Sequence, residues 1–368
     1  MLQVAFTGGG TAGHVTPNVA LIEAASQRGH ECFYIGSKKG IEAAIVADCG
    51  VPYFGIASGK LRRYFSWQNF LDPMKILWGF FQALWILQRR RPNVLFSKGG
   101  FVAVPVVFAA ALLRIKVIIH ESDLTPGLAN RLSAPLSDRV CLNFAETQLA
   151  FKGRVTEVTG TPLRASLREA NAERGRSYLN VQKPLDPSRP ILLVFGGSLG
   201  SHVLNRCVRV DLDALIERFQ VVHVVGQGAV EASLLAYPSY YQFEFLGAEF
   251  GDVLAAADLV ISRAGANALY ELLCFQKPQL LVPLTKAASR GDQLENAALF
   301  EEKGYAMVLS EERLAPGKLA LAASELWVSK QQFLEQLQAY RRPDSVLAIW
   351  QLIEEVADLK RPGGKGNR

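Results

Sequence analysis

The chain has 368 residues, 49% apolar and 20% charged. It is too long for one ordinary domain of about 100–200 residues, and its composition excludes disorder, collagen and coiled coil as whole-chain descriptions. The net charge of +6 hides a division: residues 1–164 carry +8, residues 165–359 carry −6, and the last nine carry +4, so the basic first half is expected to meet something anionic.

In chain order, short apolar runs alternate with helical patterns. Leu2–Thr7, Glu31–Gly36, Val94–Ser97, Lys116–His120 and Arg139–Leu142 read as buried strands. The second half repeats the rhythm with Pro190–Gly196, Phe219–Val225, Phe243–Leu246, Leu259–Ser262, Gln279–Pro283 and Ala306–Leu309. This alternation predicts an α/β chain of two parallel, doubly wound domains. The polar, proline-containing stretch Asn171–Pro190 reads as a linker. A helix after Asp344 precedes a Gly/Lys tail, Arg361–Arg368, expected to be disordered.

No apolar run reaches the roughly 18 residues of a membrane span. Ile76–Leu87 and Phe101–Leu113 come nearest. The N-terminus runs directly into a strand, without the charged and apolar regions of a leader peptide. Cys32, Cys49, Cys141, Cys207 and Cys274 are widely spaced and form no CxxC pair. A disulfide framework and a zinc site are therefore not expected, and a reducing cytosol is.

Both halves open with a strand, glycines and then a helix, in Val4–Pro17 and again in Leu192–Asn205. Glycines let backbone approach a ligand, and a helix start offers N–H groups to an anion. Gly8, Gly10 and Gly13 fit G-x-G-x-x-G, yet no acidic residue stands at the end of the second strand to hold a ribose, which argues against NAD. A Walker A motif is missing as well. More specific is Asp258–Glu271, where a strand ends at Ser262 and a helix opens with Glu271 two turns inside. A pyrophosphate suits that helix start, and a carboxylate there suits ribose hydroxyls. Farther on, Asp292–Ala297 opens another helix with Gln293, an amide suited to sugar hydroxyls. The lone D-x-D, Asp211-Leu212-Asp213, does not end a strand and reads as helix surface.

Seven segments together resemble the family of inverting UDP-N-acetylglucosamine transferases of peptidoglycan synthesis. They are Gly8–Leu21 (GGGTAGHVTPNVAL), Lys98–Pro105 (KGGFVAVP), His120–Leu132 (HESDLTPGLANRL), Val158–Arg164 (VTGTPLR), Phe195–Ser201 (FGGSLGS), Ser262–Glu271 (SRAGANALYE) and Asp292–Ala297 (DQLENA). The resemblance implies a GT-B fold, two Rossmann-like domains facing across a cleft, with the last helix returning to the first. It places an acceptor and membrane domain at 1–164 plus about 342–360, a linker at 165–184, and a UDP-GlcNAc domain at 185–341. The implied reaction moves GlcNAc from UDP-GlcNAc to the 4-hydroxyl of MurNAc in lipid I, an undecaprenyl-diphosphate-linked MurNAc-peptide. No cofactor and no bound metal are implied; helix ends and side chains hold the donor diphosphate.

The same resemblance assigns residues. Thr11, Ala12 and Gly13 match a donor-contacting loop, and His14 matches the catalytic histidine. A helix start beside His14 would lower its pKa and keep it neutral, fit to accept a proton; its plain alternative is a histidine that orders the loop. Arg164 matches a uridine or donor arginine, Ser198 a diphosphate-binding serine, and Leu246 a position whose backbone reads uracil. Ala266, Asn267, Ala268, Leu269, Tyr270 and Glu271 match the diphosphate and ribose segment, and Gln293 the amide on GlcNAc. Ala268 replaces a common Thr, and Asp292 a frequent second Gln. On the acceptor side stand Gly99, Gly100, Glu121 and Asp123. His30, His202 and His223 match no ligand position and read as structural.

A helix apolar nearly all round, spanning Met74–Arg91, exceeds what packing on one sheet needs. Trp78, Phe81 and Trp85 share one face, and Leu77, Phe80, Leu84 and Leu87 another. With Arg62, Arg63, Arg89 and Arg90 this reads as contact with an anionic membrane surface, on the cytoplasmic side for this family. Other wall-synthesis proteins are further expected partners, and nucleic acid is not. Another lipid glycosyltransferase of the same fold, acting for example on diacylglycerol, and a non-catalytic UDP-sugar-binding subunit remain the competing readings.

Overall fold

The computed structural model describes residues 1–59, 68–197 and 200–359. The chain divides into two compact units. Unit 1 is Met1–Arg164 together with the C-terminal stretch from Pro343, and unit 2 is Ala165–Arg342.

Unit 1 runs β1 (Gln3–Thr7), α1 (Thr16–Gln27), β2 (Glu31–Ser37), α2 (Ile41–Ala47), β3 (Tyr53–Ile56), α3 (Gln68–Arg90), β4 (Val94–Ser97), α4 (Ala103–Leu112), β5 (Lys116–Glu121), α5 (Leu128–Ser133), β6 (Arg139–Leu142) and β7 (Thr156–Val158). The strands form one parallel sheet in the order β3-β2-β1-β4-β5-β6-β7. Successive side chains point to opposite faces of a strand, and each face builds its own core. Val4, Phe6, Phe96 and Ile118 pack on one side, while Ala5, Leu95, Val117 and Ile119 pack on the other with Ala83, Leu87, Val106 and Ala110. A sheet covered on both faces explains why its strands read as continuous apolar runs.

Unit 2 runs α6 (Ala165–Arg168), α7 (Ala172–Gln182), β8 (Ile191–Phe195), α8 (His202–Val210), α9 (Leu212–Arg218), β9 (Gln220–Val224), β10 (Tyr240–Phe243), α10 (Phe250–Ala256), β11 (Leu259–Ser262), α11 (Ala266–Cys274), β12 (Gln279–Leu281), α12 (Asp292–Glu302), β13 (Ala306–Val308) and α13 (Lys318–Ala339). Its parallel sheet has the order β10-β9-β8-β11-β12-β13. The last helix, α14 (Ser345–Asp358), packs into unit 1. There Trp350 is fully buried, donates from Nε1 to the Leu21 carbonyl at 3.1 Å, and stacks on His30 with centroids 5.0 Å apart. Glu354 accepts a contact from His30 at 3.1 Å, and Arg139 reaches Glu355 at 3.0 Å.

Four expectations are corrected. The stretch expected as a linker, Asn171–Pro190, holds helix α7 over Ala172–Gln182, and only the residues after it are irregular. Asn171 caps α7 by accepting from the Glu173 and Arg174 amides at 2.8 and 3.0 Å. Arg174 holds Asp252 of α10 through two 2.8 Å bonds. Gly175 is required there, because a Cβ would collide with the Asp252 carbonyl. The prolines that suggested a linker all follow α7. A second correction concerns the strand expected at Phe243–Leu246, which is Tyr240–Phe243: the two tyrosines pair with Val221 and Val222. Two short edge strands, β3 and β7, are absent from the expected set: β3 is four residues long and carries Gly55, and β7 is three residues long and carries Glu157. Finally, Asp211 is not helix surface. It is 4% exposed and accepts from the Gly317 and Ala320 amides at 2.6 and 3.0 Å, holding the start of α13.

Candidate functional site

In a sheet of this order the strand sequence reverses direction at one point, and ligands bind outside the carboxyl ends of the strands there. In unit 2 that point lies between β8 and β11. Gly196 and Gly197 follow β8; Ser198 lies outside the described residues. Ser201 caps α8 through the Leu204 amide at 3.3 Å. Arg263, 5% exposed, follows β11. It donates to Ser201 Oγ from Nε and Nη2 at 3.1 and 2.7 Å and to the Val282 carbonyl at 3.0 Å, and it pairs with Glu311. One guanidinium thus fastens the ends of β8, β11 and β12. Sequence reasoning passed over it, because an arginine inside a glycine motif looks like a ligand contact or like nothing.

Helix α11 begins after Gly265, whose backbone is extended and which supplies no side-chain cap. Such a start presents N–H groups and the positive dipole end to an anion. Gln293, in the first turn of α12, accepts from the Leu284 amide through Oε1 at 3.1 Å. That bond turns Nε2 toward the α11 start, where it lies 4.0 Å from the place a Gly265 Cβ would occupy. Asn296 Nδ2 donates to the Ala264 carbonyl at 3.3 Å and ties the two helices together. Asn267, Ala268 and Glu271 are half-buried on α11. Leu269 and Tyr270 do not share that face; they are fully buried, because helical spacing turns them into the core. Leu246 is buried in the loop after β10.

In unit 1 the reversal lies between β1 and β4. Gly8–Gly10 follow β1, and Lys98, Gly99 and Gly100 follow β4. Gly100 has φ +85°, and a Cβ there would collide with the Gly9 carbonyl, so the two loops meet as bare backbone. Thr11, Ala12, Gly13 and His14 form a single turn just before α1. His14 Nδ1 lies 2.8 Å from Thr11 Oγ1, and its ring is half-buried.

Glu121 is 4% exposed and accepts from the Ser122, Asp123 and Gly127 amides and from Asn130 Nδ2 at 2.8–3.0 Å. It therefore shapes the loop around Asp123, which is half-buried. Beneath these loops Lys98 Nζ lies 2.8 Å from His120 Nδ1, and His120 Nε2 lies 2.8 Å from the Gly160 carbonyl. Burial brings the Lys98 ammonium down to about 8, and burial together with the Lys98 charge holds His120 well below its ordinary range. Arg164, half-buried, ends unit 1. Among the described residues no cluster of three His, Cys, Asp or Glu side chains is placed to hold a metal.

On α3, Trp78, Phe81 and Trp85 are 61%, 51% and 60% exposed, whereas Ala83, Ile86 and Leu87 are buried. Leu77, which the helical pattern groups with Phe80, Leu84 and Leu87, is 50% exposed. Arg89 lies over the Trp85 ring at 5.4 Å and Arg90 over Phe54 at 4.8 Å. Arg62 and Arg63 lie outside the described residues. No helix of the described residues is long and apolar enough to cross a membrane.

The N-terminal domain model of glycosyltransferase family 28 matches residues 4–142, and the C-terminal domain model matches 191–346. The chain belongs to glycosyltransferase family 28. Family 28 relatives match over nearly their whole length. A "UDP-N-acetylglucosamine--N-acetylmuramyl-(pentapeptide) pyrophosphoryl-undecaprenol N-acetylglucosamine transferase" of Lachnoclostridium phytofermentans is 48% identical over 97% of this chain and 99% of its own. A protein of the same name from Clostridium botulinum is 46% identical, covering 96% and 99%. The solved structure of Acinetobacter baumannii MurG aligns with a TM-score of 0.75 at 24% identity, covering 96% of this chain and all of that one. The two Rossmann-like units are thus those of a GT-B glycosyltransferase. Within this family 28 chain, both glycine loops and the α11 start fall at the reversal points of their sheets.

Proposed function

We propose that this chain transfers N-acetylglucosamine from UDP-GlcNAc to the 4-hydroxyl of MurNAc in lipid I, yielding lipid II with inversion at the sugar. One observation carries the reading: relatives bearing that activity in their names match 96–97% of this chain and 99% of their own.

In this reading unit 2 holds the donor. The α11 start and Ser198 receive the diphosphate, Glu271 the ribose, and the Leu246 backbone the uracil, while Gln293 Nε2 donates to GlcNAc hydroxyls. Arg164 and the Thr11–Gly13 turn are further donor contacts. Ala266, Asn267 and Ala268 contribute backbone, while the side chains of Leu269 and Tyr270 lie in the core and anchor the helix. No metal is needed, because the helix start and its neighbouring donors offset the leaving charge.

His14 is the proposed base. With its proton on Nδ1, donated to Thr11 Oγ1, the lone pair sits on Nε2. The acceptor oxygen attacks C1 of GlcNAc, its proton passes to Nε2, the bond from C1 to the phosphate oxygen breaks, and UDP leaves. Gly99, Gly100 and the Glu121-shaped loop carrying Asp123 form the acceptor side.

The exposed aromatics of α3, with Arg62, Arg63, Arg89 and Arg90, meet the anionic cytoplasmic membrane surface where lipid I resides. His14→Ala should lower kcat by about 10²–10⁴-fold, the usual worth of a general base, and leave the KM for UDP-GlcNAc nearly unchanged. Unchanged turnover would remove His14 from the mechanism. Transfer to diacylglycerol in place of a lipid I analogue would replace the acceptor assignment.

A further inference from the structure

Lys98 is one of the largest fully buried side chains in the protein. Burying a cation costs more than burying an apolar residue of similar volume, so stability alone gives no reason for a lysine there. Its partners say what it does. Nζ donates to His120 Nδ1 at 2.8 Å and to Ser122 Oγ. His120 donates from Nε2 to the Gly160 carbonyl at 2.8 Å, which fixes Nδ1 as the acceptor. The Lys98 amide donates to the Thr7 carbonyl at 2.9 Å, and its Cβ lies 3.2 Å from where a Gly8 Cβ would stand. Lys98 is followed directly by Gly99 and Gly100. One residue thereby joins the first glycine loop, the second glycine loop, the 120–123 segment and the 159–160 turn.

We propose that Lys98 is a positioning residue for the acceptor, which fixes the 120–123 segment against both glycine loops and keeps a positive charge beneath the acceptor-side loops, those of Gly99–Gly100 and of the 120–123 segment, where the lipid-linked diphosphate is received. This rests on the reading of unit 1 as the acceptor half. The groups facing Lys98 are His120 and Glu121 of β5, Asp123 of the next loop and Cys141 of β6. Burial keeps His120 neutral and pushes the Cys141 thiol up to about 12. The Lys98 ammonium is therefore the group that loses its charge near pH 8.

The test measures both KM values from pH 6.5 to 9 for the full chain, with UDP-GlcNAc and a short-prenyl lipid I analogue. The acceptor KM should rise several-fold above pH 8 while the donor KM stays level. Lys98→Met should raise the acceptor KM tenfold or more, hold the donor KM within twofold, and abolish the alkaline rise. A level acceptor KM in the wild-type chain overturns the proposal, and so do equal changes in both KM values of Lys98→Met. If Lys98→Met does not fold, the wild-type pH series decides alone. Transfer to the analogue with a level acceptor KM defeats the Lys98 role only; no transfer at any pH defeats the underlying reading, and Lys98 with it.

Discussion

Buried histidines set how the fold responds to acid. His223 on β9 lies between the Tyr240 hydroxyl at 2.9 Å and the Asn205 amide oxygen at 3.1 Å. Burial, aided by the charge of Arg209, brings it down to about 3. An unfolded histidine near 6.5 takes its proton first, so stability is complete above that pH and is lost as pH falls from there toward 3. The loss is about 1.4 kcal/mol per pH unit for each such group. The chain should become less stable to urea between pH 7 and pH 5, and His223→Gln should make that slope shallower, leaving the share of buried His120; an equal slope in both would contradict the assignment. At this scale the sequence was uneven. His14 stands out only through the family resemblance; its place after glycines and before a helix suits a loop-ordering histidine as well, and its contact with Thr11 Oγ1 is compatible with both roles. Arg263 was not legible, because its role depends on Ser201, Val282 and Glu311, which only the fold brings together.

Among elements, the start of α11 carries the donor assignment. A Cβ on Gly265 has open space on the site side, with Gln293 Nε2 at 4.0 Å as its neighbour. Gly265→Val should therefore cost about 1 kcal/mol of stability at most, yet raise the KM for UDP-GlcNAc tenfold or more by blocking close approach to the helix backbone. Calorimetric binding of UDP-GlcNAc checks this, and unchanged affinity would move the diphosphate elsewhere. The central strands were legible because burial on both faces leaves an unbroken apolar run. Helix α7 was not. Its stability comes from an Asn171 cap, the Arg174–Asp252 pair and one close approach at Gly175, none of which has an apolar signature. The edge strands β3 and β7 are only four and three residues long, too short to show a pattern.

For the whole molecule, the +8 of residues 1–164 and the aromatic face of α3 lie in the same unit. Vesicles containing anionic lipid should bind the chain, and binding should fall as salt rises through the range where the screening length shortens to about 8 Å. Replacing both Trp78 and Trp85 by Glu should remove binding and leave the unfolding midpoint unchanged, since both side chains are exposed. Retained binding would assign the membrane face to another surface. The −6 of residues 165–359 does not oppose a donor diphosphate, because backbone N–H groups at one helix start act locally while net charge is screened. The central claim is the reaction itself, and the linkage in the product tests it most directly. Purified full chain incubated with UDP-GlcNAc and a lipid I analogue should yield, by NMR, GlcNAc joined in β configuration to the 4-oxygen of MurNAc. An α linkage, attachment at another hydroxyl, or UDP-GlcNAc left intact beside untouched acceptor would contradict it.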